Sequence, residues 1–577
     1  MLKKYWNTYW KLFCAAVFFV FLEAMCSLLQ PTIVSNIIDI GVKNKDINYV
    51  LRTGLLMILV TAVGSVMAIS RNILSGKVSQ RFARDLRYDL YKKIQYMPVS
   101  NIDTITRASL ITRITNDVTQ LQTFANGLMR VYVKAPILCF GALFMAMILS
   151  PELSAIFIAI IPVLAVLILL NIRTGYPRFK KVQQAIDNLN SVMREFLSGI
   201  RVVKAFNRSD YEEDRFNKAN LKLNRSATSA MRLMSVFTPL LGLCINIGIV
   251  AVLWFGGLMI FNNTTNLEVG KVVAFVNYMI QIFMNINIIL NIFNQLIRAM
   301  TSHDRIKEVM DIDETENIMD KPLNKIETSS DSGELEFKNV YFSYHDSSEL
   351  DVLTDISFTC HKGETVGIIG STGSGKTSLT NLMLKYYKPK SGEIFFHGEN
   401  IDDIDVHDLR YKIAYISQEV QLFSGTIQEN ISWGKKDASK DDVVAAAKIA
   451  QAHDFIMSFP NGYDTYLGQH GVNLSGGQKQ RISIARAVIR KPEILIMDDS
   501  TSAVDFSTES LIKKAINEYS KSITTIMIAQ RIHSISSSNQ IIILDKGKIS
   551  AIGTHKELMA KSELYREIYR SQIGEEE

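Results

Sequence analysis

The sequence predicts an α-helical membrane domain of six transmembrane helices with long extensions beyond the bilayer, fused to a C-terminal α/β domain. Three observations carry this expectation. Six long apolar runs lie before about residue 300, residues 330 to 577 have the mixed charge of a water-facing α/β protein, and a glycine-rich loop follows the apolar strand ending at Ile369. A chain of 577 residues is too long for one hydrophobic core and divides into domains. The expected boundaries are 1–310 for the membrane domain, 311–332 for a polar linker and 333–577 for the α/β domain. The mean hydropathy of +0.11 averages the two halves.

A bilayer core about 30 Å thick is crossed by about 20 apolar residues in a helix. Segments near 13–38, 51–75, 131–150, 152–172, 237–261 and 270–297 meet that length. The first outruns the apolar stretch of a secretory leader and lacks a small-residue cleavage pattern, so it predicts a retained span. Before it, Tyr5, Trp6, Tyr9 and Trp10 alternate with Lys3, Lys4 and Lys11, which suits a membrane interface. Pro151 and Glu152 turn the third span into the fourth, and Asn262 to Asn266 cap the fifth. The connections at 76–130 and 173–236 are long, rich in Lys and Arg, and helical in their apolar spacing. The positive-inside rule places them and both termini in the cytoplasm. They predict helical rods that turn back through short cross-helices at Asn101–Ser109 and Ala205–Glu213, where Pro98, Asn207 and Ser209 break the period.

A net charge of +6 is mild for this size and dispersed along the chain, so nucleic-acid binding has little support. Cys14, Cys26, Cys139 and Cys244 lie in apolar runs and Cys360 follows a strand-like segment, a pattern that predicts buried, reduced, structural thiols and no disulfide framework. Glu23, Asn246, Asn277, Gln281, Asn285, Asn287 and Asn291 fall inside spans. An unpartnered polar group in hydrocarbon costs several kcal/mol, so these faces turn toward a bundle interior or cavity. Interhelical hydrogen bonds would satisfy them. As a group, beside Met279, Phe283 and Met284, they suit a lumen for amphipathic small molecules.

Strand-like Leu335–Phe342 opens the second domain, and Val366–Ile369 runs directly into Gly370-Ser371-Thr372-Gly373-Ser374-Gly375-Lys376-Thr377, followed by a helix from Ser378 to Tyr386. This is a P-loop in its strand–loop–helix setting, which makes the second domain an α/β P-loop nucleotide-binding domain using ATP and Mg²⁺. The glycines free backbone amides to cradle phosphates at a helix N-terminus, Lys376 neutralises the β and γ phosphates, and Thr377 offers a hydroxyl to Mg²⁺. Asp498, ending the apolar strand Ile494–Met497, is the second Mg²⁺ anchor.

The segment from about 334 to 572 resembles the nucleotide-binding domain of ABC transporters, and with six spans ahead of it the chain resembles an exporter-type half-transporter. The resemblance rests on Tyr344, Gln418, Leu474-Ser475-Gly476-Gly477-Gln478, Ser502-Ala503-Val504-Asp505 and Gly553-Thr554-His555-Lys556-Glu557-Leu558. It implies that Tyr344 stacks on adenine and that Gln418 reaches the metal and nucleotide. It also implies that two subunits pair head to tail, ATP on one P-loop being closed by the other chain's signature residues Leu474 to Gln478. Amides around Ser475 and Gly476, opening a helix, suit a grip on the γ-phosphate.

Three residues depart from the family pattern. Asp499 stands where a glutamate polarises the attacking water and is one methylene shorter; Gln530 replaces the switch histidine; Gln469 replaces a glutamate common in the contact loop. Glutamine can hydrogen-bond a γ-phosphate but carries no imidazolium charge. Loss of a well-placed general base costs roughly 10²–10⁴ in rate, so the pattern implies ATP binding with slow hydrolysis. The chain therefore resembles the degenerate-site half of a bacterial heterodimeric multidrug ABC exporter. Its expected partners are a second half-transporter, the lipid bilayer and an amphipathic substrate. A lipid translocase, a homodimeric exporter and an ATP-gated membrane protein stay open as alternatives.

Overall fold

Long helices form where the apolar runs lie, in a computed structural model that describes residues 2–262, 267–312, 333–344, 351–499, 506–519 and 523–573. Linker positions 313–332, Asn263 to Asn266 and the Ser502–Asp505 motif lie outside them. Among the described residues, six helices are long and apolar enough to span a bilayer: α1 (Lys3–Val42), α2 (Ile47–Gln95), α4 (Arg107–Leu149), α5 (Pro151–Ser198), α7 (Ser209–Phe261) and α8 (Val269–Met310). The short α3 (Val99–Ile105) and α6 (Ile200–Ala205) sit between them. At 1.5 Å per residue the 53 residues of α7 extend about 80 Å, far more than a bilayer core requires.

Local chemistry sets the breaks. Ser150 Oγ accepts from the Leu153 amide at 3.4 Å, and Pro151 takes the first helical position, where a missing N–H costs nothing. Thr106 (φ 70) and Asn207 (φ 50) adopt left-handed conformations just beyond the short helices. The second short helix lies before the expected turn at 205–213, because α5 already ends at Ser198 and α7 begins at Ser209.

The chain forms two compact units, residues 1–91 with 111–311, and residues 92–110 with 312–577. The first packs Ala24 and Leu28 of α1, Ala142 and Ala146 of α4, Phe157 of α5 and Phe275 and Tyr278 of α8 into one core. The small residues let the helix backbones approach closely. Glu23 is buried between Arg71 Nε at 3.1 Å and Lys134 Nζ at 2.6 Å, so the carboxylate has two cationic partners. Asn277, Asn285, Asn287 and Asn291 donate to the carbonyls four residues back, at 2.7 to 3.2 Å. These donors are satisfied within α8 and not across helices. No disulfide joins the cysteines, and the expectation of buried thiols holds for Cys360 alone: Cys14 is exposed and Cys26, Cys139 and Cys244 are half-buried. An apolar run signals contact with lipid as well as burial in a core.

The second unit carries two main sheets. One has order β2-β1-β4-β5, from β1 (Leu335–Phe342), β2 (Leu353–Cys360), β4 (Ser391–Phe396) and β5 (Glu399–Asn400). The other has order β12-β11-β3-β10-β9-β6, from β3 (Thr365–Gly370), β6 (Ile413–Ile416), β9 (Ile494–Asp498), β10 (Thr524–Ile528), β11 (Gln540–Asp545) and β12 (Lys548–Gly553). β7 (Gly425–Thr426) and β8 (Tyr466–Leu467) form a small separate ladder. Every residue of β9 and β10 is buried, as expected of parallel strands covered on both faces, whereas β1 varies between buried and exposed positions.

Candidate nucleotide-binding site

Parallel pairing places Ile368 of β3, Ile528 of β10 and Asp498 of β9 in one row. The segments leaving these strands therefore emerge together at the carboxyl end of the sheet, where α/β folds hold their ligands. A cavity of about 260 Å³ lies there, lined by Thr372, Gly373, Gly375, Lys376, Thr377, Ser378, Gln418, Asp498, Asp499 and Gln530, with Val352, Ile528 and Ala529. Five stretches far apart in sequence thus share one space. Gly370, Ser371 and Ser374 belong to the same loop without lining it, and Tyr344 also stands outside the lining.

Two glycines are dictated by the loop's shape. Gly375 has φ +103, and a β-carbon there would meet Leu353 Cδ2 at 2.5 Å; at Gly370 one would meet the Leu544 carbonyl oxygen at 2.2 Å. At Gly373 a β-carbon would meet nothing within 4 Å, so the crest of the loop is open. Lys376 begins α9 (Lys376–Met383), and its Nζ donates to the Gly370 and Ser371 carbonyls at 2.7 and 2.8 Å. Burial lowers its pKa, opposed by Asp498 and Asp499.

Asp498 is buried and accepts from the Tyr415 hydroxyl at 3.2 Å. Asp499 has a left-handed backbone (φ 44), pinned by its amide on the Ile528 carbonyl at 2.8 Å, and its Oδ2 accepts from Gln418 Nε2 at 3.4 Å. Burial raises both carboxyls above the usual aspartate range; the Tyr415 hydrogen bond opposes this at Asp498, and Arg531 and Lys376 oppose it at Asp499. The Thr377 hydroxyl, the Gln418 amide oxygen and the Asp498 carboxylate give the cavity the hard oxygen donors a magnesium ion takes.

The Tyr344 hydroxyl shares a hydrogen bond with Ser378 Oγ at 2.9 Å, and its half-exposed ring meets Tyr387 edge-on with centroids 5.1 Å apart. Tyr387 in turn donates to Asp103 of α3 at 2.6 Å. The first short helix thus has a hydrogen bond with a residue just beyond the helix that follows the P-loop. Ser475 caps α10 (Gly476–Val488) reciprocally with Gln478: Ser475 Oγ accepts from the Gln478 amide at 3.3 Å, and Gln478 Oε1 accepts from the Ser475 amide at 2.9 Å. Among the described residues lining the cavity, none comes from Leu474 to Gln478. Sequence reasoning missed Tyr415 and Tyr387, which belong to no motif; the apolar register of β6 was the only signal for the former.

Residues 13–286 match the family model of the ABC transporter transmembrane region, and residues 353–502 match the family model described as ABC transporter. The chain is 40% identical over 561 residues to the ABC transporter ATP-binding protein YfiB of Bacillus subtilis, covering 97% of this chain and 96% of that one. It is 32% identical over 498 residues to the ATP-dependent lipid A-core flippase of Haemophilus influenzae, covering 86% and 84%. A solved bacterial Atm1-family ABC exporter with ATP bound has the same fold, with a TM-score of 0.79 and 24% identity over 99% of this chain and 100% of that one.

Proposed function

The chain belongs to the ABC transporter family, as a multi-pass ATP-driven exporter half with its ATP-binding domain fused behind six membrane helices, and from that premise we propose that it is the degenerate-site half of a heterodimeric exporter of amphipathic compounds. The observation that carries the reading is the presence of Asp499 and Gln530 together in the cavity of the P-loop. The loop from Gly370 to Ser378 cradles the phosphates, Lys376 neutralises them, and Tyr344 stacks beside the base. Magnesium bound by Thr377, Gln418 and Asp498 would neutralise charge on the β and γ phosphates. Asp499 has the shorter reach and is tied to Gln418, and Gln530 offers hydrogen bonds without charge. ATP in this site is held and cleaved slowly.

The signature residues Leu474 to Gln478 close the partner's site, where α10's first turn presents its amides to the γ-phosphate. This accords with their standing outside this chain's own cavity. Both termini, the linker at 311–332 and the domain at 333–577 lie in the cytoplasm, as the basic long connections favour.

The testing experiment compares ATPase activity of the purified chain alone in lipid with that of the chain co-purified with a second half-transporter. Near-zero activity alone and rapid, substrate-stimulated activity in the pair are expected; equal rapid activity alone makes it a homodimeric exporter. The printed name of the Haemophilus relative favours one second reading, lipid translocation. Activity that follows lipid headgroup and ignores soluble amphiphiles would select it.

A further inference from the structure

A single side chain near the end of the chain holds both sides of the Gln530 segment. In α13 (Glu563–Ile573), Gln572 Nε2 donates to the Gln530 carbonyl at 2.7 Å while its Oε1 accepts from the Ile532 amide at 2.8 Å. Arg531, between them, is extended (φ −104, ψ 128), so the side-chain amide pairs with this segment as an adjacent strand would. α12 (Ile532–Ile535) starts here without a side-chain cap from Arg531, and Gln572 supplies the missing acceptor for its first amide. On the other side, the Ala529 amide is fixed to the Ile368 carbonyl of β3 at 3.1 Å. Gln530, whose residue lines the nucleotide cavity, is thus suspended between a strand contact and this clamp.

The anchor of the clamp is independent of the clamp itself. Tyr565 of α13 is fully buried in a core with Ile369, Ala529, Ile532 and Ile535, and a hydrogen bond of 2.8 Å joins it to His555. Gln572 is exposed, so truncating it leaves that core intact.

We propose that Gln572 is a positioning residue for the nucleotide site: it acts through Gln530 and sets how long this chain's P-loop retains ATP. The proposal rests on the reading of Gln530 as a γ-phosphate contact. α13 is thereby linked to nucleotide retention, and displacing it loosens the Gln530 segment without touching a phosphate-binding residue.

The test uses the full chain, paired with its partner half in lipid nanodiscs, and follows release of a photoactivatable ATP analogue scored on this chain's own band. Gln572→Ala is expected to speed release about tenfold, the scale of two lost hydrogen bonds. Gln572→Glu, which retains an acceptor for Ile532 and loses the donor to Gln530, should also release faster. Gln530→Ala should match Gln572→Ala, and the double variant should be no faster than Gln530→Ala. Unchanged release in Gln572→Ala, with Gln530→Ala fast, overturns the clamp. Additive acceleration in the double variant overturns it too, because Gln572 would then act elsewhere. Unchanged release in Gln530→Ala removes the γ-phosphate reading and the proposal with it. Labelling by chain makes the result independent of whether the partner is a different subunit or a second copy.

Discussion

Tyr387 donates its hydroxyl hydrogen to Asp103 at 2.6 Å while the same ring packs against Tyr344. One aromatic side chain therefore touches both the short α3 and the ring proposed to stack on adenine. A change in the pose of Tyr344 when nucleotide enters reaches α3 through a single intermediate.

Tyr387→Phe retains the ring and deletes the hydrogen bond. Basal ATPase of the paired transporter should stay within about twofold, since one partly exposed hydrogen bond contributes about 1 kcal/mol. Stimulation by transport substrate should fall several-fold. Full stimulation in this variant would show that the Asp103 contact carries no signal.

Asp499→Asn should leave most of the ATPase activity of the paired transporter, because turnover is assigned to the other site. Lys376→Ala should abolish photolabelling of this chain by the ATP analogue. Collapse of turnover in Asp499→Asn would identify Asp499 as an adequate base and end the asymmetric reading.

Phe206 and Tyr211, at the tip formed by α6 and α7, are 74% and 63% exposed. Residues so exposed add little to the stability of their own unit, and apolar side chains there suit docking on a partner. Phe206→Ala and Tyr211→Ala should leave the thermal midpoint unchanged within about 2 °C while separating ATP hydrolysis from transport in vesicle assays. Normal coupling in both variants would remove the docking role.

Glu334, just before β1, is buried beside Thr524 with its pKa raised to about 7, chiefly by burial and further by Glu493, with His397 and two lysines opposing. A raised carboxyl binds its proton in the folded state while the unfolded state has released it, so stability falls as pH rises from about 4.5 to about 7. Glu334→Gln should flatten that slope in a pH series of melting curves and raise the midpoint at pH 7.5. Parallel curves for the two proteins would refute the assignment.

Much of this was legible in the sequence because its causes are local. Bilayer thickness sets the length of the six apolar runs, and the glycine spacing of the P-loop follows from backbone conformations available at Gly373 and Gly375. Asp498 could be read from its place at the end of an apolar strand, but the convergence of Gln418 and Asp499 on that loop was readable only through the family resemblance, since no periodicity reveals which strands are neighbours. The bond from Tyr415 to Asp498 follows from the pairing of β6 with β9, a long-range register. The Asn-rich face of α8 illustrates another limit. Composition showed that its amides needed partners, but the choice between a neighbouring helix and the helix's own carbonyls depends on rotamers that only packing decides.

The carboxylate of Glu23 and the ammonium of Lys134 are separated by 111 positions along the chain. During synthesis at about 5 to 20 residues per second, that distance amounts to roughly 5 to 20 s. For the early part of that interval the first helix lacks Arg71 as well, and the membrane unit acquires its final form only after α8, which carries Phe275 and Tyr278 of its core, has emerged. Synthesis of α1 thus precedes that of both counter-charges of its buried carboxylate.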